Sequence, residues 1–320
     1  MSQLSNPDNS PVATIVLNPE IVSNPEIGSN PEIGSNSEIG SNSEIGSNPD
    51  NSRVATRVAI TALGQVLCPE SDLVAVEQPL ELRFHGKPAS VLMRTPGHDR
   101  ELALGYLFHE GIINSLDQVQ SIDRPEGEGG LVEGSENILE ILLDTPSRVK
   151  GLDRFFFSTS SCGVCGKKSL DSVAVHGPMV QGNFVVTPSF LSTLADRLLP
   201  HQTLFHQTGG VHACGLFTPK GELVCLREDV GRHNAFDKLA GYALEQRLHP
   251  LSSGILLLSG RVGYEMAQKA IVSGIPMVIA VGAPTSLAVE LCEQWGITLV
   301  GFLRGKKMNV YTHPERISAG

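Results

Sequence analysis

The pattern of apolar and polar positions divides the chain into three parts, and the first part has almost no pattern at all. Residues 1–52 repeat a hexamer, SNPEIG at 23–28 and 29–34 and SNSEIG at 35–40 and 41–46. Each unit offers a single Ile, which is too little apolar surface to offset the entropy lost on ordering. We therefore predict that residues 1–52 form a disordered, low-complexity repeat tail.

Residues 53–150 alternate apolar and polar side chains over short runs, which predicts β-strands. The segment 79–96 is typical of a hairpin with its turn at His85 and Gly86, and 137–144 of a further strand. Between them, 98–113 has apolar residues at helical spacing, with Gly111 placed to end the helix. This part is predicted to be a smaller N-terminal α+β region, rich in strands.

Residues 151–320 have a different rhythm. A hairpin is predicted from 211–218 and 222–229, and short all-apolar strands at 255–260, 277–282 and 297–303 then alternate with helices. Strands of this kind indicate a sheet covered on both faces, with at least one parallel crossover. A further helix is predicted over 188–199, with Ser189 as its N-cap. The fold class predicted for the chain is α/β.

Net charge changes this picture only for the tail. The chain has 34 acidic and 24 basic residues, a net charge of −10, but seven of the acids and none of the bases lie in residues 1–52. The remainder therefore carries a net charge of −3, which gives no field that would bind nucleic acid. No apolar run is long enough to cross a membrane and no signal peptide is recognisable, so we expect no nucleic acid, no membrane and a cytoplasmic location.

Glycine and polar residues follow two of the predicted strands at the edge where α/β proteins bind ligands. Free backbone N–H groups at such turns hold anions, and arginine forks onto phosphate. Helix capping or i,i+4 pairing would explain any one of these residues, but together they favour a phosphate- or nucleotide-bearing ligand. The set is Asp229, Arg232, His233, Asn234, Ser259, Gly260 and Arg261.

A basic cluster follows the last predicted strand. Arg304, Lys306 and Lys307 surround Gly305 within FLRGKK, residues 302–307. A solvated turn would look the same, but a flexible glycine also lets a loop approach a phosphate closely. The cluster is a second candidate for anion binding.

The sequence STSSCGVCG at 158–166 carries Cys162 and Cys165 in a Cys-x-x-Cys pair. Six cysteines in 320 residues are too few for a disulfide scaffold, so metal binding or catalysis is favoured. The pair has zinc-ligand spacing, and His212 with Cys214 would complete four ligands, but the Glu of a zinc deaminase is missing. A thioredoxin-like dithiol would lie at the N-terminus of a helix, but the glycines beside the pair argue against a helix there.

The third interpretation of the Cys-x-x-Cys pair is a thiolate that accepts sulfur and passes it on. Such a thiol needs a swinging position and nearby cations, which Gly163, Gly166, Lys167 and Lys168 would supply. Cys68, Cys225 and Cys292 lie in apolar patterns and are predicted to be buried, whereas the pattern leaves Cys214 undecided.

Six segments of the chain closely resemble the FdhD family of sulfurtransferases, which formate dehydrogenase requires for activity. They are STSSCGVCGKKSL, TGGVHACGLF, REDVGRHNAFDKLAG, LLLSGRVGYEMAQKA, GIPMVIAVGAPTSLAVE and GFLRGKKMNVYTHPERI, and the likeness covers about residues 57–317. The resemblance implies a cytidine-deaminase-like α/β core without the catalytic zinc, a homodimer and no permanently bound metal. It leaves the repeat tail outside the family pattern.

The resemblance also implies a function and its residues. A cysteine desulfurase would load sulfur on Cys162 as a persulfide, with Cys165 assisting or standing by, and the sulfur would pass to the molybdenum of bis-molybdopterin guanine dinucleotide. The catalytic subunit of formate dehydrogenase would then receive this cofactor, which is bound here as a substrate and which GDP would mimic. The family's cofactor-binding stretch falls on Phe302, Leu303, Arg304, Gly305, Lys306 and Lys307. The strand-end set is assigned to the guanine dinucleotide on chemical grounds.

A second function remains open at this point. A non-catalytic chaperone of the molybdenum cofactor, with a structural zinc at the Cys-x-x-Cys pair, would present the same cysteines and the same anion-binding loops. The predicted organisation is a tail at 1–52, an α+β part at 53–150 and an α/β part at 151–320.

Overall fold

The computed structural model describes residues 51–57, 70–127, 130–131, 134–144 and 179–318. The predicted tail, apart from its last two residues, lies outside these ranges, as do the predicted strand at 154–158, the Cys-x-x-Cys pair and the boundary predicted near residue 150. Of the described residues, 51–55 and those from 72 onward belong to one compact unit, and 56–57 and 70–71 belong to another. All the contacts analysed below lie inside the first of these units.

Within the described residues, the N-terminal part contains eight strands and one α-helix. They are β1 (Ser52–Arg57), β2 (Glu70–Ala75), β3 (Gln78–Phe84), β4 (Lys87–Arg94), α1 (Asp99–His109), β5 (Val119–Asp123), β6 (Glu126–Gly127), β7 (Gly130–Leu131) and β8 (Ile138–Leu143). A four-stranded sheet has the order β4-β3-β8-β5, with β3 parallel to β8. The predicted hairpin turn is confirmed, because His85 and Gly86 both have positive φ, at 49° and 77°.

The second part is built on a six-stranded sheet. Its elements are α2 (Pro188–Leu198), α3 (Thr203–Thr208), β9 (His212–Phe217), β10 (Leu223–Asp229), α4 (Arg232–Glu245), β11 (Ile255–Leu258), α5 (Tyr264–Ser273), β12 (Met277–Ala280), α6 (Ser286–Trp295), β13 (Thr298–Arg304) and β14 (Lys307–Thr312). The strand order is β10-β9-β11-β12-β13-β14. Strands β11, β12 and β13 are parallel, so the predicted crossover occurs twice, through α5 and α6.

Both faces of this sheet are buried, as the all-apolar strands predict. Along β11, Leu256 and Leu258 join a core cluster with α4, α5 and α6, whereas Ile255 and Leu257 join a second cluster with α2. The alternation follows from the two-residue period of a strand. The predicted α/β class is confirmed, and no helix within the described residues is long and apolar enough to cross a membrane.

The predicted N-cap of α2 is wrong by two residues. The helix begins at Pro188, and the Thr187 hydroxyl accepts a hydrogen bond from the backbone N–H of Phe190 at 3.2 Å. Proline is favoured at the first helical position because it has no N–H to satisfy there. Ser189 therefore lies inside the helix, and the threonine before the proline caps it.

Helices α1 and α4 cross in backbone contact. A Cβ added at Gly105 would overlap the carbonyl group of Asp237, and one added at Gly241 would overlap that of Glu101. Each glycine therefore lets the other helix approach more closely than any side chain would allow. The contact fixes α1, which packs on the first sheet, against α4, which covers the second.

We expect Gly241→Ala to lower the free energy of unfolding by about 1–3 kcal/mol, because the added methyl group has no space in this crossing. Denaturant unfolding measures the change. Gly210→Ala is the matched control, since its Cβ would meet only ordinary contacts, beginning at 3.4 Å from Ala75, and should change stability by less than about 0.5 kcal/mol. Equal stability of the two variants would contradict the backbone contact.

Candidate functional site

The register of the second sheet brings the predicted strand ends to one edge. Asp229 at the end of β10 pairs with His212 at the start of β9, and Leu258 at the end of β11 pairs with both Cys214 and Ala280. The backbone N–H of Phe302 donates to the carbonyl of Gly282 at 3.1 Å, which joins β13 to the same edge. The carboxyl edge of the sheet thus carries the turns before α4, α5 and α6, as expected for an α/β protein.

Asp229 is fully buried at this edge, and the protein itself occupies both of its carboxylate oxygens. It forms an ion pair with Lys238 Nζ at 2.8 Å and accepts hydrogen bonds from the backbone N–H groups of Thr95 at 3.0 Å and Gly231 at 2.8 Å. Asn234 Nδ2 donates to Asp229 at 3.0 Å and to the Met93 carbonyl at 2.7 Å. These two residues of the predicted ligand set anchor the start of α4 to the end of β4.

Arg232 and His233, the first two residues of α4, contrast with these anchors. Arg232 Nε and both ring nitrogens of His233 are buried and have no hydrogen-bond partner. Burial, with help from the nearby cations Lys269 and Arg232, lowers the pKa of His233 to about 3, so its ring is neutral at physiological pH. The carboxylate of Glu265, in the first turn of α5, lies 4.0 Å from His233 Nε2.

Ser259 and Gly260 directly follow β11 and lie beside the start of β9. The Ser259 hydroxyl accepts from the Ala213 N–H at 2.9 Å and lies 3.4 Å from His212 Nδ1. Burial and the Arg232 cation lower the pKa of His212. A Cβ at Gly260 would lie 3.3 Å from the His212 ring, so glycine keeps this turn close to the histidine. Arg261, the last member of the predicted set, is exposed.

The basic cluster is a tight hairpin rather than a loop. Phe302, Leu303 and Arg304 end β13, Lys307 begins β14 opposite Arg304, and Gly305 with Lys306 forms the turn. Leu303 is 1% exposed and packs in the α2 core, whereas Arg304, Lys306 and Lys307 are exposed. Within the described residues none of these three cations forms an ion pair, so the hairpin tip presents free positive charge at the carboxyl edge of the sheet.

A buried polar network, which no sequence pattern revealed, lies behind the site. His109 Nδ1 donates to Asp237 at 2.6 Å, Ser273 Oγ lies 2.9 Å from His109 Nε2, and Lys269 forms an ion pair with Asp237. The side chains of His109 and Ser273 are inaccessible, so this Ser-His-Asp arrangement cannot attack a substrate. Its partners lie on α1, α4 and α5, too far apart in sequence for spacing to reveal them.

The described cysteines are buried. Cys225 and Cys292 lie in the core as predicted, and burial raises the pKa of each thiol to about 12. Cys214, undecided from sequence, is also in the core, and its pKa is raised well above the usual value. A protonated core thiol is a poor zinc ligand, which weakens the set that would pair Cys214 with His212. Cys68, Cys162 and Cys165 lie outside the described residues.

Comparisons with known proteins agree with one another. The model of the FdhD/NarQ family matches residues 75–318. Proteins named sulfur carrier protein FdhD match from Streptomyces coelicolor, at 48% identity over 77% of this chain and 89% of the relative, and from Mycobacterium tuberculosis, at 43% over 82% and 97%. The one from the archaeon Sulfurisphaera tokodaii matches at 44% identity over 78% and 92%.

A solved crystal structure from Desulfotalea psychrophila, described as that of a formate dehydrogenase accessory protein, has a similar fold. The TM-score is 0.65 at 25% sequence identity, and the match covers 83% of this chain and 99% of that one. The similarity therefore extends over nearly the whole of the solved chain.

The buried histidines predict a pH dependence of stability. Burial lowers the pKa of His109 to about 4, below the ordinary value near 6.5, so between these values the unfolded chain binds a proton that the folded chain does not. Stability should therefore fall as the pH is lowered from 7 to 5, with about 2 kcal/mol due to His109. Denaturant unfolding at both pH values measures the loss, and His109→Gln, which cannot titrate, should show a loss smaller by that amount. An identical pH dependence in the variant would contradict the assignment.

Proposed function

This chain belongs to the FdhD/NarQ family, and we propose that it is a sulfur carrier in which Cys162 accepts sulfur from a cysteine desulfurase and delivers it to a molybdenum cofactor needed by formate dehydrogenase. The single observation that carries the proposal is the extent of the family match, which spans residues 75–318 and so includes both Cys162 and the basic hairpin. The relatives' printed name, sulfur carrier protein, supports the carrier role.

The buried cysteines narrow the choice of carrier thiol. A thiol that receives and releases sulfur acts as a thiolate and must meet two partners. Cys214, Cys225 and Cys292 are enclosed in the core, and burial holds their pKa values high, so they are unsuited to this task. Cys162, which the family resemblance assigns as carrier, is a better candidate, and Cys165 provides a second thiol three residues away.

Sulfur transfer takes two steps in this proposal. The Cys162 thiolate attacks the terminal sulfur of the desulfurase persulfide, so that a new S–S bond forms on Cys162, the donor's S–S bond breaks and the donor leaves as a thiolate. Release of the terminal sulfur as sulfide takes two electrons. The Cys165 thiolate can supply them by attacking the Cys162 sulfur of the protonated persulfide: a Cys162–Cys165 disulfide forms, the persulfide S–S bond breaks, and the terminal sulfur leaves with its proton as hydrosulfide toward molybdenum.

The carboxyl edge of the second sheet supports a role in holding the acceptor. We assign the basic hairpin to the phosphate groups of bis-molybdopterin guanine dinucleotide, because exposed arginine and lysine at a hairpin turn suit pyrophosphate. Arg232, His233 and the turn at Ser259–Arg261 lie at the same edge. In this proposal the cofactor is a substrate, GDP is its simplest mimic, and the partners are a desulfurase, a formate dehydrogenase catalytic subunit and a second copy of this chain.

The carrier role predicts a sulfur adduct at one position. After incubation with a cysteine desulfurase and cysteine, intact mass spectrometry should show a gain of about 32 Da that a reductant removes, and peptide mapping should place it on Cys162. Cys162→Ala should fold normally, lack this adduct and fail to support formate dehydrogenase activity. Cys292→Ala, which changes a buried thiol, is the control and should still be loaded. Full activation by Cys162→Ala would contradict the proposal.

The basic hairpin predicts a loss of nucleotide affinity in Arg304→Ala. We expect GDP to bind about three- to tenfold more weakly, because one charge-assisted contact to phosphate is lost at an exposed position. Isothermal titration calorimetry measures the change. Lys220→Ala removes a cation from the β9–β10 turn at the opposite edge of the sheet, so it is the matched control and should bind GDP normally. Equal affinity of both variants would exclude the hairpin as a phosphate site.

A further inference from the structure

Three buried side-chain nitrogen atoms in the described part of the chain have no hydrogen-bond partner, and they are the only buried side-chain polar atoms there without one; all three belong to the first two residues of α4. They are Arg232 Nε and the two ring nitrogens of His233, a residue that is 5% exposed. A buried polar group without a partner is costly and rare in folded proteins. Their concentration in one helical turn therefore indicates groups that a ligand completes.

The helix start itself is also open. Gly231 precedes α4 and offers no side chain to cap it, so the first N–H groups of the helix lack a side-chain partner. The neighbouring turn also contains a glycine, Gly260. A Cβ at this position would lie 3.3 Å from the His212 ring and 3.8 Å from the Arg232 side chain. A flat ring can come close to the backbone where such side chains are missing.

Glu265 supplies the acceptor of this site. Its carboxylate faces His233 Nε2 across 4.0 Å, which is too long for a hydrogen bond but short enough for one ligand atom to bridge both groups. The other carboxylates nearby have cation partners, Asp229 with Lys238 and Asp237 with Lys269. Among the described residues Glu265 has none, and its side chain is 19% exposed, so it lies where a ligand can enter.

These groups select a neutral polar ring rather than a simple anion. A carboxylate at the site would repel an isolated phosphate, whereas it accepts two N–H groups well. The neutral His233 ring has one donor and one acceptor nitrogen, and Arg232 has a donor for a carbonyl oxygen. A ligand edge with an amino group, a ring N–H and a carbonyl oxygen satisfies all three residues.

We propose that Arg232, His233 and Glu265 read the 2-amino-4-oxopyrimidine edge that guanine and pterin rings share. Glu265 accepts from the amino group and the adjacent ring N–H, His233 bridges to the amino group, and Arg232 donates to the carbonyl oxygen. The inference rests on the proposed function, whose substrate carries both kinds of ring. It places ring recognition at α4 and α5 and leaves phosphate binding to the basic hairpin.

The test exchanges the amino group for an oxygen. The full chain is titrated with GDP and xanthosine diphosphate, and in a second arm with 6-carboxypterin and 6-carboxylumazine. In xanthosine diphosphate and in 6-carboxylumazine a 2-oxo group replaces the 2-amino group. The wild-type chain should prefer the amino form about ten- to a hundredfold. Glu265→Gln should reverse that preference, because its amide donates to a 2-oxo group. Reversal in the nucleotide arm identifies guanine as the ring, and reversal in the pterin arm identifies pterin.

Glu290→Gln is the matched control, since Glu290 is an exposed glutamate on α6 outside the site, and it should keep the wild-type preference. An unchanged preference in Glu265→Gln in both arms would overturn the inference, as would failure of the wild-type chain to bind any of the four ligands. Sulfur loading of the wild-type Cys162, measured on the same preparation, tests the carrier role separately. A chain that loads sulfur on Cys162 but does not distinguish the amino ligands from the oxo ligands would refute the ring site and leave the carrier role standing.

Discussion

The backbone contact between α1 and α4 is the constraint on which the site depends. Glycine at positions 105 and 241 lets the two helices approach until each touches a carbonyl of the other. Packing this close buries polar groups, and these are paired: across the contact His109 of α1 donates to Asp237 of α4 at 2.6 Å, and beside it Arg227 of β10 binds both oxygens of Glu101 on α1 at 2.6 Å. Because a buried charge without its partner is strongly unfavourable, α4 has little freedom to slide or rotate. The position of its first turn at the edge of the sheet is therefore fixed from behind.

That fixed position explains how polar groups with hydrogen-bond partners and polar groups without them can lie together at the start of α4. Asp229 and Asn234 are held by groups of β4 and α4, so they stabilise the fold and have little capacity left for a ligand. Arg232 and His233, between them in sequence, have unpartnered nitrogens. A helix held only by apolar contacts could move to pair these atoms, whereas this one cannot do so without breaking buried ion pairs. Preorganised binding groups are maintained in this way, by neighbours that determine their place.

The sequence predicted local features well and long-range partners poorly. The hairpin turn at His85 and Gly86, the parallel crossovers and the two-faced burial of the strands follow from turn chemistry and from periods of two and 3.6 residues, which a short segment contains. The anchoring role of Asp229 does not follow from any local pattern, because its partner Thr95 lies 134 residues before it in the chain. The same limit hid Glu265, which sequence alone would place on a solvated helix face. Because β10 and β11 both pair with β9, the helices that follow them begin at one edge, and this brings Glu265 within 4.0 Å of His233. For Cys162 and Cys165, which lie outside the described residues, the assignment rests on their sequence surroundings, on the family resemblance and on the burial of the described cysteines.

The proposed site divides its work between an exposed part and a buried part, and the division suits a carrier. Charges at the hairpin tip attract an anionic substrate from a distance and are screened by salt, so they favour rapid binding and rapid release. Buried groups near His233 act at short range and reject a ring that would leave them unpaired, so they give selectivity. Selectivity is a difference between affinities and does not require tight binding. A protein that must accept one cofactor among many nucleotides and then give it up therefore gains from placing ring recognition inside and phosphate recognition outside.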